Sequence, residues 1–177
     1  MKTFRAGNSK KILVRSFSNS DLNNVSGETP ASLHLTIGGA TVHGSSPNGD
    51  IAIVYFDNRI SQPYDAASGA LVGRRQHTPF TIRKEIDIAS PLLYQAFVSG
   101  KRANGVLTVN SVGDQGIASV MQITFTNMTI VSSEQMLPDT VVSTVGGSTN
   151  PLEEIQFTYQ KITWTGGGIT ASDSWSQ

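Results

Sequence analysis

Apolar and polar residues alternate with a period of two through most of this chain. In SLHLTI (32–37) Leu33, Leu35 and Ile37 share one face, and in PFTIRKE (79–85) Phe80 and Ile82 are set against Thr81, Arg83 and Glu85. Successive side chains of a strand point to opposite faces, so these segments predict half-buried strands. IAIVYF (51–56) is apolar almost throughout and predicts a central strand covered on both faces. The same reading places strands at 105–111, 119–131, 140–145 and 154–164.

Two of these segments change phase midway. Met121, Ile123 and Phe125 lie on one parity and Met128 and Ile130 on the other; Ile155, Phe157 and Tyr159 are likewise followed by Ile162 and Trp164. A β-bulge inserts one residue, restores the inward face and bends the strand, as strands around a barrel must bend. The expected fold is therefore mainly β, a closed β-barrel with one short α-helix and long loops. The helix falls at 91–99, where Ser90 is placed to cap the first turn, Pro91 opens it and Gly100 offers a left-handed stop. Leu93, Ala96 and Phe97 then form its apolar face, with Leu92 alongside. Turn-forming residues mark loops at 18–30, 43–50, 61–73, 132–139, 146–151 and 165–168, of which 61–73 is long for a compact domain.

A length of 177 residues is that of one ordinary domain, and a single domain over 1–177 is expected. Thirteen Lys and Arg balance thirteen Asp and Glu, so net charge draws the chain neither to nucleic acid nor to an anionic membrane, and it does little to oppose self-association. The absence of cysteine excludes disulfides, thiolate metal sites and thiol nucleophiles. The basic opening MKTFRAGNSKKILVRSF has only Ile12, Leu13 and Val14 as an apolar run, too short for a signal-peptide core, and no apolar stretch is long enough to span a membrane. The expectation is a soluble protein made in the cytosol, which leaves, if it leaves, by a route that reads no N-terminal signal.

The sequence carries no recognisable catalytic or metal-binding pattern. His34, His43 and His77 are the only histidines and show no metal-ligand spacing, no serine stands in a GxSxG context, and the glycine runs lack a phosphate-loop pattern. Carboxylates pair at Glu85/Asp87 and Glu153/Glu154; the first pair, flanked by Arg83 and Lys84, reads as mutual charge compensation on a solvated or interfacial face. Neither an enzyme nor a cofactor is expected.

The segment GRRQHTPFTIRKEIDIASPLLYQAF (73–97) resembles the signature of the hemolysin-coregulated protein family, Hcp, the tube-forming subunit of the bacterial type VI secretion system. Its order is G-x-R-x-H-x-P, then K-E-I-D, then S-P-x-L-Y. YQKITWT (159–165) and SDSW (172–175) look like the family's closing strand and final Asp-Ser-Trp, whereas TGGGITA (165–171) is leaner than the charged hairpin of the family and 18–50 is an elaboration. The resemblance implies a subunit that closes into six-membered rings, which stack into a hollow tube related to phage tail tubes. It implies a spike at the tip, a sheath and a baseplate as partners, effector proteins sheltered in the lumen, no nucleic acid and no membrane insertion. The tube subunit is then cytoplasmic before firing and extracellular, or inside a target cell, afterwards. Within this reading the loop 61–73, with Tyr64 and Asp65, is expected to reach the neighbouring ring from a base anchored by Arg74, Arg75 and His77, solvated Arg74 and Arg75 being the alternative. A phage-like tail tube protein and a monomeric ligand-binding barrel are the competing readings.

Overall fold

The computed structural model describes residues 30–113, 116–137 and 150–175. Among them the chain forms twelve strands and one helix: β1 (Ala31–Ile37), β2 (Ala40–Val42), β3 (Ile51–Ile53), β4 (Tyr55–Asp57), β5 (Ile60–Ser61), β6 (Gln76–His77), β7 (Phe80–Glu85), α1 (Ser90–Ser99), β8 (Ala103–Gly113), β9 (Gly116–Met136), β10 (Leu152–Thr158), β11 (Lys161–Gly166) and β12 (Ile169–Ser174). The principal ladder runs β2-β1-β8-β9-β10-β7-β4, with β3 on β1, β11 on β9 and β12 on β11, while β5 and β6 form a separate two-stranded sheet.

The long strand β9 organises this ladder. Its first half pairs with β8 on one side and β11 on the other, and its second half pairs with β10. The halves join at the phase change: Ala103 faces Met128 but Gly105 faces Phe125, so β9 carries one residue more than β8 there. Asn127 absorbs the excess at φ 52°, a left-handed conformation that asparagine tolerates better than most residues. The bulge returns Met128 and Ile130 to the buried side, in phase with Ile123 and Phe125.

Several expectations need correction. The sheet does not close into a barrel among the described residues, and its ladder ends at β2 and β4. The reason lies in 51–57, which is not a central strand but two three-residue pieces broken at Val54, β3 pairing with β1 and β4 with β7. Ile51 and Ile53 are buried, whereas Val54 and Tyr55 are 55% and 45% exposed. The second phase change is also not a bulge within one strand, because Tyr159 and Gln160 separate β10 from β11. Residues 132–136, expected in a loop for their serines, continue β9, since β10 supplies a ladder partner for each of them. The strand expected at 140–145 lies outside the described residues.

The core gathers the inward residues of both halves. Phe80, Phe125 and Phe157 meet with ring centroids 4.8 to 5.2 Å apart, two of the three contacts edge to face. Each buried ring contributes about 2 kcal/mol through area removed from water, with roughly a further 1 kcal/mol per well-oriented aromatic pair. Leu33, Leu107, Ile123, Ile155 and Ile162 complete the same cluster. Leu93 and Ala96 of α1 are buried while Leu92 is exposed, so the apolar face of the helix is narrower than its sequence suggested. The helix ends as the sequence predicts: Gly100 takes φ 62°, its N–H bonds the Phe97 carbonyl, and the Lys101 N–H bonds the Ala96 carbonyl. Its start differs, because Ser90 makes no capping bond and turns its hydroxyl elsewhere.

Candidate assembly site

The segment 60–77 is an ordered hairpin with structure of its own. Ile60 pairs with His77 and Ser61 with Gln76, and an isolated bridge joins Tyr64 to Leu71 nearer the tip. At the tip Asp65 Oδ1 accepts hydrogen bonds from the Ser68 N–H at 2.7 Å, the Ser68 hydroxyl at 2.8 Å and the Ala67 N–H at 3.1 Å. Those bonds, the Ser68 hydroxyl foremost, hold the Asp65 carboxyl below its ordinary value. Tyr64 and Leu71 are 66% and 68% exposed, so the hairpin carries an apolar rung into solvent.

At its base the hairpin meets the two other motifs singled out in the sequence. Arg75 clasps Asp173 with both ends of its guanidinium, Nε to Oδ2 at 2.7 Å and Nη2 to Oδ1 at 2.9 Å. His77 Nδ1 lies 3.0 Å from the Tyr159 hydroxyl and Nε2 lies 3.5 Å from Asp173 Oδ2. The indole of Trp175 stacks near the imidazole at 5.3 Å and meets the Tyr159 ring edge to face at the same separation. Burial, with the Asp173 carboxylate second, pushes the Tyr159 phenol up to about 12. The phenol is therefore protonated at neutral pH and can donate to Nδ1, which leaves Nε2–H facing Asp173. Burial alone would raise the Asp173 carboxyl, but the Arg75 bond, the Ser174 N–H and the Arg75 charge outweigh it and leave it below its ordinary value.

The structure thus joins Arg75 and His77 to the closing motif, and places Tyr64 and Asp65 at the far end of the hairpin. Arg74 is exposed beside them. Sequence reasoning missed Tyr159, Asp173 and Trp175 as partners of the hairpin. The signal was present in SDSW, where Asp173 and Trp175 are two residues apart and so lie on one face of a strand.

A second cluster explains K-E-I-D and S-P. Lys84 is fully buried, and its three N–H groups are shared among four acceptors, Asp87 Oδ1 at 2.6 Å, the Glu85 carbonyl at 2.6 Å, Glu153 Oε1 at 2.9 Å and, more distantly, Ser90 Oγ at 3.2 Å. Ser90 in turn donates to Glu153 at 2.8 Å and accepts the Asp87 N–H at 3.0 Å. Asp87 is pushed up by burial, but bonds from Lys84 and the Ala89 N–H, with the Lys84 charge and the Ser45 side chain, hold its carboxyl below its ordinary value. Lys84 faces Glu153 across the β7–β10 ladder, and Arg83 faces Glu154. The two pairs point to opposite sides. Arg83 bonds Glu154 at 2.7 Å over the ring of Tyr55, its guanidinium 4.9 Å from the centroid, on the outer face. The expected compensation of Glu85/Asp87 by Arg83/Lys84 on a solvated or interfacial face is corrected in its place: strand alternation sends Lys84 inward and Arg83 outward, and Asp87, beyond the end of β7, turns back to pair with Lys84 in the interior.

Among the described residues no group of three or more His, Asp or Glu side chains is placed to hold a metal ion, and no helix is long and apolar enough to cross a membrane.

Comparison with known proteins agrees with these motifs. The family model described as "Type VI secretion system effector, Hcp" matches residues 22–165. The "Major exported protein" of Pseudomonas aeruginosa is 32% identical over 123 residues, 68% of this chain and 72% of that protein. Among solved structures, a mutant of Hcp1 from the E. coli EAEC 042 pathovar is 32% identical and superposes with a TM-score of 0.71 over 83% of this chain and 99% of its own. A crystal structure of another Hcp protein reaches a TM-score of 0.75 over 84% of this chain and 98% of its own at 20% identity, a likeness of fold.

Proposed function

Because this chain belongs to the Hcp family of the type VI secretion system, we infer that it is the subunit of that system's tube, closing into six-membered rings that stack into a hollow, exported conduit. The observation that carries this reading is the family match over 22–165, which takes in the hairpin, the buried lysine cluster and β11 together. A structural subunit of this kind needs no active site. Its chemistry is that of repeated contact: a head-to-tail interface closes into a ring when its rotation closes, and a second contact along the axis propagates a filament.

The hairpin 60–77 supplies the axial contact in this proposal. Tyr64 and Leu71 bring apolar surface to the next ring, Asp65 stiffens the tip, and Arg74, Arg75 and His77 stand at the base. The rings meet a spike at the tip and lie within a sheath above a baseplate, and effectors travel in the lumen. The subunit is held in the cytoplasm until the tube is fired. The name of the Pseudomonas relative, an exported protein, supports the direction of travel.

Shortening the hairpin tests the axial contact. With residues 62–73 replaced by Asn-Gly, which leaves a four-residue loop closed by Ser61 and Gln76, the subunit should still form rings, and stacked tubes should disappear from electron micrographs of the same sample. Tubes of unchanged length would remove the hairpin from the interface.

A further inference from the structure

The hairpin 60–77 shares no ladder with the principal sheet, because β5 and β6 pair only with each other. Its attitude relative to the body is set where its base meets other elements. Its two strands run on into β4 and β7, whose ladder reaches Asp57 and Thr81, and the Thr78 N–H and hydroxyl both bond the Arg59 carbonyl in between. Ile60 of β5 packs against the core. The polar side-chain contacts to the body come from β6 and the residue before it. Arg75 makes its two-pronged pair with Asp173, and the His77 side chain, only 2% exposed, sits among Tyr159, Asp173 and Trp175. Asp173 belongs to β12 and Trp175 follows it directly, with the Trp175 N–H bonded to the Gln160 carbonyl at 3.1 Å.

We propose that Asp173 and Trp175 are positioning residues: with Arg75 and His77 they form a side-chain latch that fixes the angle at which the hairpin leaves the body. This rests on the reading of the hairpin as the contact between rings, and it adds a dependence of stacking on Asp173, 98 positions away in sequence from Arg75, and on Trp175. The fork geometry matters, since a guanidinium paired through two parallel bonds restricts rotation that a single bond allows. The indole covers the imidazole and narrows its movement further. Arg75 is itself 45% exposed, so the pair is screened and its contribution lies in orientation more than in global stability.

The test is amide hydrogen exchange on assembled but unstacked rings of the full chain, with tube yield measured in parallel. Asp173→Asn keeps the shape and removes the charge; Arg75→Ala removes the other partner. Each should raise exchange of the amides of 60–78 about twofold to fivefold, the effect of one lost and partly screened ion pair, with β8 and β10 unchanged. The double variant should exceed neither single by much, because both changes break one contact. Asp173→Glu should recover part of the protection. Unchanged exchange in 60–78, additive single effects, or exchange that rises equally through β8 and β10 would each overturn the latch. A loosened hairpin with tube yield undiminished would uphold the latch and sink the reading of the hairpin as the ring-to-ring contact.

Discussion

Position 84 shows how a residue's place in a strand overrides its chemistry. Phe80, Ile82 and Lys84 share the inward parity of β7, opposite Phe157, Ile155 and Glu153 of β10. The lysine has no route to water and is held by two carboxylates, a hydroxyl and a carbonyl instead. A buried charge set of this kind gives modest net stability when whole, yet removing one member leaves the others desolvated and unpaired. Lys84→Met should therefore cost about 3 to 5 kcal/mol in urea unfolding, more than the loss of an ordinary core methylene. A cost below about 1 kcal/mol would show that Asp87 and Glu153 find water or another partner.

Tyr159 makes the pH prediction at the same scale. Its phenol titrates ordinarily at 10.0 and at about 12 in the folded chain, so the folded state holds the proton more tightly. The contribution is complete below pH 10 and is lost as pH rises from 10 through about 12, the sign expected for a group whose folded value is raised. The difference in tyrosinate absorbance between the natural chain and Tyr159→Phe should rise near pH 12, and a difference curve centred at the ordinary 10.0 would contradict the packing of the phenol against Trp175 and Asp173.

Among elements, what the sequence disclosed depended on whether a segment's partners were local. The bulge of β9 was legible because both of its faces are written in apolar residues, Phe125 on one parity and Met128 on the other. The helix stop was legible because Gly100 and its two amide bonds are contiguous. The break of 51–57 was not. A run of apolar residues is compatible with burial on both faces, and only the ladders to β1 and β7 reveal that Ile51 and Ile53 face the core while Val54 spans between sheets. Serines 132 and 133 look like turn residues until β10 lies beside them. β12 was hidden for a related reason: its residues are mostly exposed, and it exists because Gly167 and Gly168, at φ 57° and 79°, make the tight turn that returns the chain along β11.

For the whole molecule, the family motifs were readable before their geometry was. G-x-R-x-H-x-P and the closing Asp-Ser-Trp stand almost a hundred residues apart, and no periodicity announces that Arg75 meets Asp173. K-E-I-D and S-P looked like surface charge and a helix cap, and are the two halves of one buried knot with Glu153. Linear spacing carries the identity of such a fold more readily than its contacts, because each cluster draws on three or more elements that only the sheet brings together.

Assembly is tested by the native mass of the purified chain across a wide concentration range, with negative-stain images of the same samples. Mass action makes the range essential, since a ring that dissociates on dilution is monomeric only at the low end. The expected species has six times the chain's mass and is seen as rings with a central hole and, at higher concentration, as stacks. A monomer that persists to the highest concentrations, with no rings on the grid, would contradict assembly.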